Sequence, residues 1–218
     1  MGSILEALSP EQQIACSTQN NILLTACPGS GKTRTLTHRL AYQVLRDPAS
    51  KKIKIAITYT NRAAEEITNR LEGMNIDQSS IWAGTIHQFC MHFIIRPYAM
   101  YSKRLCKGYR IIDDYSKKAY GREIAERLGM HLNYYDDPFQ YENVRTEYKR
   151  VLKEKKEIDF DAILLISEEL LASCAFIGSN IASVISSILV DEFQDTNELQ
   201  YSILSTIYKA NKSIILMF

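Results

Sequence analysis

Residues 21–36 read NILLTACPGSGKTRTL: a short apolar strand from Ile22 runs into a glycine-rich turn, and the turn runs into a helix that begins near Lys32. In the segment Ala26-Cys27-Pro28-Gly29-Ser30-Gly31-Lys32-Thr33, Gly29 and Gly31 let the backbone curl so that successive N–H groups point inward. The helix that follows adds the positive end of its dipole. Such a concavity binds phosphate oxygens, with the backbone of Ala26 to Thr33 and the adjacent Arg34 around them. Lys32 is placed to reach the β- and γ-phosphates of a nucleoside triphosphate, and the Thr33 hydroxyl to ligate Mg2+. Ala26 stands where the pattern G-x-x-x-x-G-K-[ST] has its first glycine, a site that opens the turn and need not lie under the phosphates. A chance Gly/Ser loop ahead of a helix is the alternative, but it does not call for strand, loop and helix in that order.

A second constellation lies far along the chain. Ile185 to Val190 (ISSILV) reads as a buried strand, and it ends in Asp191-Glu192-Phe193-Gln194-Asp195. An acidic pair at the C-terminal end of a parallel strand is where α/β sheets place catalytic groups. Asp191 is expected to hold the Mg2+, directly or through water, and Glu192 to polarise the attacking water. Alone, this acidic pair could equally cap the next helix. Combined with the phosphate loop it points to hydrolysis of a triphosphate.

These segments, with those between them, resemble the first half of a superfamily 1 helicase of the UvrD/Rep/PcrA type, over nearly the whole chain. Leu8-Ser9-Pro10-Glu11-Gln12-Gln13 is similar to the family's Q motif, so the resemblance assigns Gln12 to the adenine edge of ATP. Ile57 to Ala64 (ITYTNRAA) is similar to motif Ia and Gly84-Thr85-Ile86-His87 to motif Ib, which in this family touch single-stranded DNA. Asp159-Phe160 resembles the segment leading towards motif II, although Ala162 stands where an acid is usual. Val190 to Asn197 (VDEFQDTN) is close to the family's own wording. The resemblance implies a RecA-like, ATP-dependent motor moving 3′ to 5′ on single-stranded DNA at duplex junctions. It assigns Tyr59, Asn61, Thr85 and His87 to DNA. From spacing alone, Tyr59 could as well end a strand and pack in the core, and an aromatic stacked on a base is worth about 1 to 3 kcal/mol.

The remaining pattern is consistent with this α/β class. Leu36, Leu40, Ala41 and Val44 make a helical apolar stripe, and Ile53, Ile55, Ile57 and Tyr59 a strand. Asn61 is placed to cap a helix with inner face Ala64, Ile67 and Leu71. Ile81 to Ala83 reads as a strand, Ile86 to Ile95 as a helix ending before Pro97, and Ser213 to Met217 as a last strand. Repeats of this kind give a parallel sheet with helices on both faces. Residues 113–157 differ in texture, being dense in charge and tyrosine, and are expected to form a helical insertion, similar to a shortened subdomain 1B, within a RecA-like domain of residues 1–112 and 158–218. In its helix from Glu142 to Lys156, Val144, Tyr148, Val151 and Leu152 face inward. Lys149, Arg150 and Lys153 are left outside, as a solvated face or as a phosphate-tracking patch.

At 218 residues and 46% hydrophobic content the chain is long enough to bury roughly 70% of its unfolded surface. Its net charge of +1 says nothing about nucleic acid, since a binding groove can be local. Five cysteines without a CxxC pair suit a reducing cytoplasm, and no apolar run is long enough to span a bilayer. Gly2 has Glu6 where a myristoylation signal wants Ser or Thr. His87, Cys90 and His92 could suggest zinc, but no second cluster has matching spacing, and Trp82 beside them reads as core. The resemblance places motif III and a second RecA-like lobe with its arginine finger after Phe218, so 1–218 is expected to be an N-terminal piece of a motor or a shortened gene product. The alternatives are a different phosphate-loop NTPase and a non-enzymatic ATP- or DNA-binding module.

Overall fold

The computed structural model describes residues 2–25, 27 and 29–218, so the expectations for Ala26 and Pro28 lie outside the described residues. Contacts divide the chain into two compact units, Met1–Phe89 with Leu171–Phe218, and Cys90–Leu170.

The first unit is built on a four-stranded sheet in the order Ile81–Thr85, Ile53–Thr58, Ile185–Val190, Ile215–Met217, every pair parallel. Register sets Ile55 beside Trp82 and Ile188, and Ala56 beside Ala83 and Leu189. The phosphate-loop strand is less regular than the sequence suggests. Only Ile22 makes a ladder bridge, to Met217, supported by Leu24 N–H to Phe218 C=O at 2.7 Å. Leu23 is largely exposed, because this segment pairs along one side only, with the short strand at the end of the chain. That last strand is itself confined to Ile215–Met217, since Ser213 bonds back to the Asn211 side chain in a turn.

The helices follow the predicted stripes. Lys32–Arg46 buries Leu36, Leu40, Ala41 and Val44, and Asn61–Gly73 buries Ala64, Ile67 and Leu71. All of these except Ala64 meet Ala56, Leu189 and Met217 in one cluster, which covers one face of the sheet. Alternation along the strands turns Ile55, Ile57, Ile188 and Val190 to the other face, and these too are buried. Helices Ala175–Val184 and Glu198–Ala210 contribute buried Ile177, Ile181, Ile203 and Ile207. The chain is thus α/β with a parallel sheet between helices. Among the described residues no helix is long and apolar enough to cross a membrane.

Two local expectations need correction. The cap of Asn61–Gly73 is Thr60, whose hydroxyl accepts the Ala63 N–H, while Asn61 is the first helical residue. Thr60 has extended backbone angles, as a cap requires. The segment from Ile86 does not run as one α-helix to a stop before Pro97. It is α-helical over Ile86–Phe89, widens to a π-helix over Cys90–Ile95, and resumes as Arg96–Tyr98. Pro97 falls at the start of this last piece, directly after the wider π turn.

In the second unit, helices Asp114–Arg127 and Glu142–Lys155 pack Ile124, Ala125, Val144, Tyr148, Val151 and Leu152 into one core, so the inner face expected for the latter helix is the buried one. That helix ends a residue early, because Lys156 adopts a left-handed conformation. A short parallel pair, Arg110–Ile111 with Glu157–Ile158, joins its ends.

Leu40 is fully buried at the centre of the sheet-facing cluster. Leu40→Ala is expected to cost about 2 to 5 kcal/mol. Urea unfolding followed through Trp82, the one tryptophan and a residue of the same sheet, should show a lower midpoint; an unchanged midpoint would contradict this packing.

Candidate active site

The C-terminal ends of the parallel strands share one edge of the sheet, and the chemistry-bearing residues lie there. The turn before Lys32 keeps Gly29 at φ +78° and Gly31 at φ +90°, both in the left-handed region that glycine enters without strain. A β-carbon at Gly31 would also come within 3.2 Å of the Gln12 amide nitrogen, so that side chain would have to give way. Gly31 caps the Lys32–Arg46 helix, whose first N–H groups and dipole therefore open into the turn.

Two contacts join this turn to the acidic pair. The Thr33 hydroxyl donates to Asp191 Oδ2 at 2.9 Å, and Lys32 Nζ lies 3.4 Å from Glu192 Oε2. Asp191 sits on the edge because its N–H continues the ladder to the Ile57 carbonyl at 2.8 Å. Glu192 then leaves the strand at φ +55°, a conformation that costs a non-glycine residue about 1 kcal/mol or more and that swings its side chain back over the turn.

The two carboxylates differ electrostatically. Burial pushes the Asp191 pKa up, against a smaller opposing effect of the Thr33 hydrogen bond. The Gln194 amide, first, and then Lys32 hold Glu192 below the usual carboxylate range. Asp191 is therefore a partly buried acid whose charge lacks a full counter-ion, beside a hydroxyl oxygen. Two hard oxygens 2.9 Å apart suit a divalent cation such as Mg2+. An open cleft of about 610 Å³, lined by Gly29, Gly31, Lys32, Thr33, Arg34, Glu66, Arg70, Glu192 and Gln194, leads to these groups. Its size and its cationic floor fit a triphosphate.

Around this centre the candidate residues divide. Gln12 reaches the turn, its amide donating to the Ser30 carbonyl at 3.0 Å while its oxygen accepts the Ser9 N–H at 3.0 Å. Arg34 lines the cleft and donates to the Ala7 carbonyl, and Cys27 is exposed. Tyr59, Thr85 and His87 line a second cleft, of about 340 Å³, together with Asp191 and Glu192. Tyr59 is 70% exposed one residue past its strand, which removes the core reading of that side chain. Thr85 is engaged with Gln88, and Asn61, although exposed, is not among the residues lining this cleft.

Sequence reasoning missed four supporting residues. Gln194 is legible in hindsight as the residue two places after Glu192. Arg70 and Glu66, an i,i+4 ion pair at the rim of the triphosphate cleft, carry no local signal at all, since only packing brings their helix there. Arg39, wholly buried, donates to the Ala15 and Asn20 carbonyls and so ties the Gln12 helix (Pro10–Ser17) to the phosphate-loop helix.

The raised pKa of Asp191 has a sign that can be checked. Its carboxyl is favoured neutral in the folded state, so its contribution to stability is most favourable below the ordinary carboxylate range and declines as pH rises towards its elevated folded value. Asp191→Asn keeps an acceptor for Thr33 and removes the buried charge. The metal-free variant is expected to melt about one to two degrees higher at pH 7 and to lose any Mg2+-dependent rise in melting temperature. A variant that melts lower, or that still responds to Mg2+, contradicts this picture.

A family model described as the UvrD/REP helicase N-terminal domain matches residues 8–141 and 134–217. Among curated proteins, the chain is 27% identical over 228 residues to the ATP-dependent DNA helicase PcrA of Leuconostoc citreum, covering 91% of this chain and 30% of that protein. It is 27% identical to DNA helicase II of Escherichia coli K12, covering 91% and 31%, and 25% identical to PcrA of Staphylococcus aureus Mu50, covering 98% and 33%. The chain thus spans about a third of the length of these relatives. With the matched segments running through the turn at Lys32 and the acidic pair at Asp191, the chain belongs to the UvrD/REP helicase N-terminal domain family.

Proposed function

We propose that residues 1–218 form the ATP-binding part of an ATP-dependent, 3′ to 5′ DNA helicase. The observation that carries this reading is the closure of the phosphate loop onto the acidic pair, Thr33 on Asp191 and Lys32 on Glu192. Four groups needed for phosphoryl transfer to water meet there although they lie about 160 residues apart in sequence.

In this reading Thr33 and Asp191 would hold Mg2+, which would supply positive charge to offset that of the phosphates. Lys32 exchanges Glu192 for the β- and γ-phosphates. That exchange leaves Glu192 as a free carboxylate, kept ionised by Gln194, to orient a water and accept its proton as the bond from the γ-phosphorus to the β,γ-bridging oxygen breaks. Gln12, already bonded to the Ser30 carbonyl, links adenine recognition to the shape of the loop. Single-stranded DNA occupies the second cleft, with Tyr59 as the stacking face and Thr85 and His87 at phosphate or sugar. Because that cleft also contains Asp191 and Glu192, the strand and the triphosphate act on opposite sides of the same acidic pair. Subdomain 1A (residues 1–112 and 158–218) and the inserted residues 113–157 make up this part. An arginine finger from another lobe is worth about 10³ to 10⁵ in rate, so the isolated chain binds Mg-ATP and turns it over slowly.

Equilibrium binding of a fluorescent ATP analogue tests this. Lys32→Ala is expected to abolish measurable affinity. Glu192→Gln is expected to keep affinity within a few-fold and to lower single-turnover hydrolysis by about 10² to 10⁴. Tyr59→Ala is expected to weaken oligo(dT) binding while sparing the nucleotide. Undiminished nucleotide affinity in Lys32→Ala would overturn the reading.

A further inference from the structure

The Glu192 side chain is 41% exposed, so packing holds it only in part and its polar contacts decide where the carboxylate stands. Two donors meet on the one oxygen Oε2. Lys32 Nζ lies at 3.4 Å, the long end of a hydrogen bond, and Gln194 Nε2 lies nearer. All three side chains line the triphosphate cleft. Lys32 cannot serve the carboxylate and the phosphates together. In the hydrolysis reading it leaves Glu192 when the nucleotide arrives, and among the described residues Gln194 is then the side-chain donor that stays.

Gln194 is itself held from behind. It sits in the 3₁₀ turn Phe193–Asp195, closed by the Asp195 N–H on the Glu192 carbonyl and the Thr196 N–H on the Phe193 carbonyl, both at 3.0 Å. Phe193 anchors that turn, its ring centroid 4.2 Å from that of Phe218 and 6.4 Å from that of Tyr201. Asn197 then caps the next helix by accepting the Gln200 N–H at 2.9 Å. Residues two apart on a helical turn do not face each other, and the left-handed backbone of Glu192 is what lets this pair meet. An exposed Gln beside an exposed Glu is more often a passing contact in solvent. Here the donor is mounted on an anchored turn, the acceptor belongs to a strained residue, and both stand at the cleft where the chemistry is proposed.

We infer that Gln194 is the positioning residue for Glu192, its amide N–H holding the carboxylate over the phosphate loop after Lys32 has turned to the phosphates. The inference rests on the hydrolysis reading proposed above and goes beyond it by naming what aims the base. A neutral amide suits the task, because phosphate oxygens draw an ammonium more strongly and because an amide does not titrate. As the water oxygen bonds to the γ-phosphorus and the bond to the β,γ-bridging oxygen breaks, the water proton passes to Glu192, and Gln194 keeps both of its own. The same N–H holds the Glu192 carboxyl below the usual carboxylate range, so the base stays ionised to lower pH.

The test follows single-turnover hydrolysis of ATP with Mg2+ by the whole chain as a function of pH. Gln194→Ala is expected to slow hydrolysis about 10- to 100-fold, to move the acid limb of the profile to higher pH, and to leave affinity for the ATP analogue within a few-fold. Gln194→Glu, of the same shape but with no N–H to give at neutral pH, should fall as far at pH 7. In a Glu192→Gln background, Gln194→Ala should cost nothing further. Unchanged hydrolysis in Gln194→Ala would overturn the inference and leave the proposed function standing. So would a slower rate with the acid limb unmoved and an equal loss in the Glu192→Gln background, which is what mere damage to the turn gives. A wild-type chain that binds ATP without any single-turnover hydrolysis would overturn both the hydrolytic role of Glu192 and this inference.

Discussion

The contact on which the site depends is the hydrogen bond from Thr33 to Asp191, made between a helix start and a strand end 158 residues apart in sequence. It exists because the sheet is parallel, which places every strand's C-terminal end at one edge. It also exists because the last strand, Ile215–Met217, lies between Ile22 and the Ile185–Val190 strand and fixes their separation. Packing of Leu36, Leu40 and Leu189 in one cluster then sets the height of the helix over the strand. The partly buried carboxyl of Asp191 disfavours its charged form in the fold, and the hydrophobic cluster beneath offsets that cost.

The same edge explains how two ligands could communicate. Glu192 lines both the phosphate-loop cleft and the cleft of Tyr59, Thr85 and His87, and Asp191 lines the latter. Any movement of Glu192 away from Lys32 changes the wall of the second cleft, because Glu192 lines both. Its left-handed backbone makes it a sensitive point, since a residue held in that region needs its surroundings to keep it there.

Much of the site was legible before any coordinate. The loop from Cys27 to Thr33, the buried strand ending in Asp191-Glu192, and the inner faces of three helices all follow from local periodicity and from residue types that chemistry requires. What misled were positions where a neighbour one residue away could do the same task. Thr60 rather than Asn61 caps the helix, because either side chain can accept an N–H and only backbone angles choose between them. The π-helix over Cys90–Ile95 was hidden because its apolar pattern is compatible with an α-helix read over so few residues. For Lys149, Arg150 and Lys153, sequence left both a solvated face and a phosphate patch open, with the solvated face favoured. In the structure Arg150 is engaged by Glu147 and Glu154, while Lys149 and Lys153 make no ion pair among the described residues.

The sequence by itself determined the α/β class, the phosphate loop, the acidic pair and the family, because glycine, lysine, threonine and paired acids at fixed spacing have few other physical uses. Tertiary structure alone decided which residues share a cavity. It brought Arg70 and Glu66 to the triphosphate cleft, locked the Gln12 helix through buried Arg39, and exposed Tyr59 while burying its strand neighbours. These are long-range facts, set by strand order and helix packing, and no local spacing encodes them.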